Sequence, residues 1–305
     1  MLRSTRTLTI LPLALLLAAC SGGATNPPSQ AAQPSQAATP AVTPDACAAA
    51  NLQTLTAGTL TVGADNPAFP PYFEPDDPTP SGAAWELGDP TNGKGLEAAS
   101  AYAVAAKLGF TADKVTWVAV PFNNAIQPGP KTFDMYLTQV SYSTERAQAV
   151  DLSDGYFDLN QAVVGLQAND ISKVTDVAGL KAFKLGAPVG TTSYQYIVDN
   201  IQPTKDPLVY DTLDAAVSAL GAKQIDGVVV DLPTAFYMRD AQLTGGVIVG
   251  SLPTVGPVEH FSIVLNKGSS LTSCVNLALS AMKADGTLAG IVQQWITSQG
   301  APELK

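Results

Sequence analysis

The 305-residue chain carries 16 basic against 26 acidic residues, a formal net charge of −10, and 46% of its residues are hydrophobic. An acidic balance of this size excludes binding driven by nucleic-acid phosphates or anionic lipid headgroups. A single histidine, His260, and the lack of CxxC, HExxH and GxSxG patterns give no grounds to expect a metal, a cofactor or an activated nucleophile, although carboxylates could still act as acid and base.

At the N-terminus, Arg3 and Arg6 precede an apolar stretch from Leu8 to Leu17 that runs into Ala18-Ala19-Cys20. A charged start, a short apolar core and a small-residue cleavage site predict a secretory signal over residues 1–19 rather than a membrane span. The closing cysteine matches the bacterial lipobox, so Cys20 is expected to be the lipidated first residue of the mature chain. Two or more acyl chains anchor stably where one binds marginally, and the expected location is extracytoplasmic, held at the cell membrane. No later segment reaches 18 uninterrupted apolar residues. With Cys20 taken, Cys47 and Cys274 remain in an oxidising compartment and are expected to pair, two buried free thiols being the alternative. Between them and the signal, residues 21–46 are rich in Ala, Pro, Ser, Gln and Thr, with no aromatic residue and no charge before Asp45. Such a stretch cannot bury enough surface to order itself. Residues 20–50 are therefore read as a lipidated tether reaching roughly 30 Å.

From about residue 52 onward, short apolar strands alternate with helix-period segments, the pattern of an α/β protein. The strand candidates are 59–64, 115–120, 133–140, 162–166, 184–187, 208–210, 227–231 and 261–265. Between them, Leu96, Ala99, Ala103 and Ala106 share one helix face, as do Leu213, Ala216, Val217 and Leu220. Near the end, Leu271, Cys274, Val275, Ala278 and Met282 form a third such face, and Leu288, Ile291, Val292 and Trp295 a fourth. Gly93-Lys94-Gly95-Leu96-Glu97-Ala98 mimics a dinucleotide fingerprint, but no apolar strand precedes it and it is set aside.

Four stretches carry more specific information. Leu60-Thr61-Val62-Gly63-Ala64-Asp65 is a strand closing on an acid, followed by Phe69-Pro70-Pro71-Tyr72-Phe73. The run from Phe133 through Gln139, Ser141 and Ser143 to Glu145-Arg146 precedes Val150-Asp151-Leu152-Ser153 and Tyr156. Lys184-Leu185-Gly186-Ala187-Pro188-Val189-Gly190-Thr191-Thr192 is a strand entering a glycine turn, and Ile225-Asp226-Gly227-Val228-Val229-Val230-Asp231-Leu232-Pro233 is an apolar strand that delivers an acid at its end. In this order the motifs resemble family 3 of the bacterial extracellular solute-binding proteins, the polar amino-acid-binding group, over nearly all of residues 58–298.

The resemblance implies a periplasmic-binding-protein-like type II fold: two α/β lobes joined by a two-strand hinge, with a ligand cleft between them. Residues 51–157 would form the first part of lobe 1, 158–256 lobe 2, and 257–305 the return to lobe 1, with crossings near 157–162 and 256–261. It implies a monomeric receptor that hands an amino-acid-like small molecule to an ABC transporter permease. Asp65 and Phe69 would supply an acid and a ring to the cleft. Arg146, with Ser141 and the backbone near Gln139, would hold the ligand carboxylate, because a guanidinium offers paired donors to that group. Thr191 and Thr192 would add donors from a helix start, and Asp231 would receive the α-ammonium. Phe122 is a second candidate ring. Each has a plainer alternative: a solvated arginine after Thr-Glu, an ordinary strand-to-helix turn, a capping aspartate. Many members carry glutamine where Val189 stands here. The acidic, Pro-rich segment between Phe73 and Gly93, with Asp76, Asp77, Trp85 and Glu86, is either a lip over the cleft or a surface loop. A dehydratase-type enzyme on the same fold and a ligand sensor acting on a separate receptor are the rival functions.

Overall fold

The computed structural model describes residues 44–78, 80–296 and 300–305; Cys20, the signal segment and most of the linker lie outside them. In chain order the elements are β1 (Leu60–Ala64), α1 (Leu96–Lys107), β2 (Val115–Ala119), α2 (Phe122–Ala125), β3 (Met135–Tyr136), α3 (Arg146–Ala149), β4 (Asp151–Leu159) and β5 (Gln161–Leu166). There follow β6 (Leu185–Pro188), α4 (Thr192–Tyr196), β7 (Leu208–Tyr210), α5 (Leu213–Gly221), β8 (Gly227–Asp231), α6 (Leu232–Tyr237), β9 (Gly246–Ser251), β10 (Glu259–Leu265), α7 (Leu271–Ala284) and α8 (Thr287–Trp295).

The strands build two five-stranded sheets, ordered β2-β1-β3-β10-β4 and β7-β6-β8-β5-β9. In the first, β1 lies parallel to β2 and β3, and β10 runs antiparallel to β3 and β4. The second repeats the plan, with β6 parallel to β7 and β8, and β5 antiparallel to β8 and β9. In both sheets the first strand of a parallel trio sits between the other two, which opens a crevice beyond their carboxyl ends. The chain passes between sheets at Asn160 and again through residues 252–258, close to the expected crossings.

Burial on both faces explains why the central strands read as unbroken apolar runs. On β5, Ala162, Val164 and Leu166 enter one core while Val163 enters the core on the opposite face; on β8, Val228 and Val230 oppose Val229 in the same way. The glycine motif before α1 serves packing. Gly95 has φ 101°, and a Cβ there would collide with the Tyr72 carbonyl. The first amides of α1 are already taken, Leu96 N donating to Pro71 O at 3.0 Å and Glu97 N to Tyr72 O at 2.9 Å. This helix start therefore has little left to offer a phosphate.

The structure departs from the expected elements in three places. The strand anticipated over 133–140 pairs only at Met135–Tyr136, because Gln139 adopts φ 44° and turns the chain out of the ladder. β4 and β9 were not among the strand candidates. Glycines interrupt both, and each glycine is a point of close approach: a Cβ on Gly155 would lie 2.6 Å from the His260 ring, and one on Gly250 would lie 2.6 Å from Leu304. The expectation that 257–305 belongs wholly to lobe 1 is corrected at its end. Ser251 N donates to Pro302 O at 2.7 Å and Leu304 N to Ser251 O at 2.9 Å, so residues 300–305 add an edge to lobe 2, where Leu304 is buried. Ala301 and Leu304, separated by Pro302 and Glu303, leave no periodicity by which this pairing could be read.

The bond expected between Cys47 and Cys274 is present, with Cα atoms 5.3 Å apart across a sequence separation of 227. It ties the N-terminal segment to α7 inside the lobe 1 core. A loop of that length is worth on the order of 5 kcal/mol in the chain-entropy model, less any native strain. A Cys47→Ser/Cys274→Ser double variant should lose about 2 to 5 kcal/mol in chemical denaturation, and an unchanged midpoint would show that the bond adds nothing to stability.

Candidate functional site

A cavity of about 360 Å³ lies where the carboxyl ends of the two parallel trios face each other. Its wall is made by loops after β1, β2 and β3 from one lobe and after β6, β7 and β8 from the other. All nine candidate residues, Asp65, Phe69, Phe122, Gln139, Ser141, Arg146, Thr191, Thr192 and Asp231 among them, lie on that wall.

Arg146 opens α3 and is 8% exposed. Its Nη1 donates to Ser141 O at 2.5 Å and its Nη2 to Gly190 O at 2.7 Å, so the guanidinium spans from lobe 1 to lobe 2. Phe122 lies beneath it, 5.4 Å from ring centroid to Cζ. None of the ion pairs among the described residues includes Arg146. Burial lowers its pKa to about 10, the direction expected of a cation taken out of water. The solvated-helix reading of this arginine is thus excluded. Beside it, the Thr192 and Ser141 hydroxyls meet at 3.5 Å across the cleft. Thr191 caps α4, accepting from Tyr194 N at 3.2 Å and donating to Pro188 O at 2.7 Å.

The backbone at Gln139 is arranged differently from expectation. Its N–H donates to Glu97 Oε1 at 2.6 Å, and its side-chain amide donates to Glu97 Oε2. Tyr156 OH reaches the same carboxylate at 2.5 Å. Gln139 therefore faces the cleft as a residue pinned from behind, with its backbone N–H and one of its two side-chain N–H donors taken by Glu97. Glu97 was not singled out from the sequence, although it is the one charged residue between Lys94 and Lys107 in an otherwise small and apolar helix.

Asp231 unites its two candidate readings. It caps α6, accepting from Thr234 N at 3.0 Å, and it lines the cavity. Tyr72 OH of the opposite lobe donates to it and lies 3.1 Å from Thr234 Oγ1. Burial raises the Asp231 pKa, with the Tyr72 hydrogen bond opposing. Phe69 meets Tyr237 of lobe 2 edge-on at 6.4 Å. At the hinge, Gln161 accepts from Ser193 Oγ at 2.7 Å and donates to Glu259 Oε2 at 2.9 Å. The lobes are in direct contact around the cavity.

At the other end of the wall, Asp65 accepts from Asn66 N at 2.8 Å and Phe122 N at 3.2 Å. Burial raises its pKa and the charge of Asp214 adds to that. Asp211, on the turn leading into α5, and Asp214, in its first turn, line the cavity too and were not anticipated. Their only sequence signal is position, just past the end of a parallel strand.

Residues 60–298 match the bacterial extracellular solute-binding proteins, family 3. The chain belongs to this family. It is 29% identical over 173 residues to the ABC transporter glutamine-binding protein GlnH of Bacillus subtilis strain 168, covering 55% of this chain and 59% of that protein. It is also 29% identical over 170 residues to the ABC transporter arginine-binding protein 1 of Escherichia coli K12, covering 54% and 67%. Among solved structures, an ancestral arginine-binding protein bound to glutamine superposes with a TM-score of 0.61 at 30% identity, covering 79% of this chain and 99% of that one. The ancestral amino acid-binding protein AncCDT-1, described as a precursor of cyclohexadienyl dehydratase, gives 0.61 at 26% identity over 79% and 96%. The two-lobed, type II architecture of these solute-binding proteins is the one observed here.

Within this family member, the Glu97 site has a measurable consequence. Burial pushes its carboxyl up to about 7 from 4.5, against hydrogen bonds from Tyr156 and Gln139 that favour the ionised form. An acid whose pKa is raised on folding holds its proton more tightly in the folded state. Its contribution to stability is fullest below about 4.5 and declines as pH rises to about 7, by on the order of 3 kcal/mol. Glu97→Gln should remove that decline, so the gap between variant and wild type in denaturant melts should widen in the variant's favour across this window. Parallel pH profiles would show that Glu97 is not the titrating group.

Proposed function

We propose that this protein captures an α-amino acid between its lobes and delivers it to an ABC importer, with Cys20 as a lipid anchor and residues 21–46 as a tether. The observation that carries the reading is Arg146: a guanidinium almost wholly out of water, supplied with two carbonyl partners and no carboxylate, on the wall of a cavity. A buried cation without an anion is costly, and a ligand carboxylate supplies the missing charge in bidentate geometry. Asp231 on the facing lobe accepts the α-ammonium, so one zwitterion satisfies groups from both lobes. Binding energy then favours the closed pairing of lobes, in which Tyr72 reaches Asp231 and Arg146 reaches Gly190. The names of the relatives, glutamine- and arginine-binding, agree with this chemistry.

Catalysis is the weaker reading. His260 stacks on Tyr142 at 5.6 Å on β10 and is not part of the cleft wall. Glu97, whose carboxyl burial pushes up to about 7, is completely buried and occupied by Gln139 and Tyr156. Affinity between micromolar and nanomolar corresponds to about 8 to 12 kcal/mol, within reach of a few charge-assisted hydrogen bonds.

The test is a thermal-shift screen of the purified chain, stripped of carried-over ligand by unfolding and refolding, against the proteinogenic amino acids. A ligand at 100 times its Kd should stabilise by about 2.7 kcal/mol. Arg146→Ala should weaken binding by roughly 2 to 5 kcal/mol while the variant still melts cooperatively. Absence of a shift with every α-amino acid would refute the reading.

A further inference from the structure

Asp65 and Asp214 belong to different lobes, the first at the end of β1 and the second in the first turn of α5. Both line the same cavity, as does Asp211. The charge of Asp214 acts on Asp65, and burial raises both carboxyls. Neither takes part in an ion pair among the described residues. Among the described residues, Asp214 accepts from a neutral amide, Gln242 Nε2 at 3.3 Å, and Asp65 from backbone N–H groups. Exposed Glu86, on the 74–92 insertion, adds negative charge that acts on Asp214. That insertion is tied to the cleft rim, since Glu86 N donates to Asn66 Oδ1 at 2.8 Å and Asn66 Nδ2 donates to Ala84 O at 3.2 Å.

Among the described residues, Arg146 is the one basic side chain on the cavity wall, and it pairs with neither aspartate. Its guanidinium sits on the Ser141 and Gly190 carbonyls, and the charges that act on it are those of Glu259 and Glu145 rather than Asp65 or Asp214. The cavity is therefore polarised. A buried cation outside the ion pairs of the described residues marks one part of it, and carboxylates outside them, one from each lobe, mark another. Closing the lobes brings like charges together, which opposes closure unless something positive lies between them. A carboxamide side chain could turn its N–H donors toward these carboxylates but brings no charge to neutralise them. A side-chain ammonium or guanidinium presents donors alone.

Building on the amino-acid reading above, we propose that the ligand is an α-amino acid with a cationic side chain, and that Asp214 is a specificity-determining residue which clamps that cation against Asp65 from the facing lobe. The α-carboxylate meets Arg146, the α-ammonium meets Asp231, and the side-chain cation neutralises the Asp65–Asp214 pair. Specificity then arises as much from rejection as from attraction: a neutral side chain leaves two half-buried carboxylates on one cavity wall without a counter-charge.

Arginine and citrulline separate the charge from the shape, since they differ at one terminal group. Calorimetric titration of the refolded chain should give arginine an advantage over citrulline on the order of a hundredfold. In Asp214→Asn that advantage should shrink by roughly tenfold or more through loss of arginine affinity, with citrulline affinity held and the melting curve retained. Asp65→Asn should act in the same direction. Equal or tighter binding of citrulline or glutamine by the wild-type chain would overturn the inference and leave amino-acid capture standing. A cation preference unchanged in Asp214→Asn would remove Asp214 from the role, and binding of no α-amino acid at all would sink the parent reading with it.

Discussion

A guanidinium held out of water without a carboxylate beside it is the constraint around which the rest of this structure is arranged. Burying Arg146 carries a desolvation cost that two backbone carbonyls only partly offset. Its two partners, Ser141 and Gly190, lie on opposite sides of the cleft, so the side chain senses the relative position of the lobes directly. Anything that supplies negative charge at Arg146 relieves the same group that joins the lobes. On the proposed function, ligand occupancy and lobe pairing would be coupled through this one residue.

The supporting contacts follow the same economy of position. Glu97 holds Gln139 from behind, keeping the loop after β3 in a left-handed turn that a non-glycine residue adopts only under constraint. Asp231 joins a helix cap, a hydrogen bond from the other lobe and a place on the cavity wall. Gln161 links Ser193 to Glu259 where the chain changes sheets. Each of these groups is polar and largely buried, and each is satisfied by a partner distant in sequence, so the site has few independent ways to rearrange.

What could be read in advance divides along the line between local and non-local physics. Strands such as 60–64 and 227–231 announce themselves because burial on both faces leaves only apolar residues, and the acids Asp65 and Asp231 at their ends point to the crevice. Cys47 and Cys274 were readable as a pair from redox compartment alone. β4 and β9 were not, since Gly155 and Gly250 look like breaks until His260 and Leu304 are seen filling the space above them. Glu97 was not legible as a buried acid because nothing local in the sequence marks it as buried. Asp214 gave no signal beyond its place after β7, and its relation to Asp65 exists only once two sheets face each other. The roles of Val189 and of the 74–92 insertion were equally hidden, although the insertion's tie to Asn66 now places it at the cleft rim.

The bond between Cys47 and Cys274 makes the intervening polypeptide a covalent ring. Both passages between the sheets, Asn160 and residues 252–258, lie inside that ring, as does the long rim segment before α1. A protease that cuts once at any of these places opens the ring without dividing the molecule. The pieces stay joined through sulfur. For a receptor working outside the cell, the crosslink thus acts as insurance against a single nick as well as a brake on unfolding.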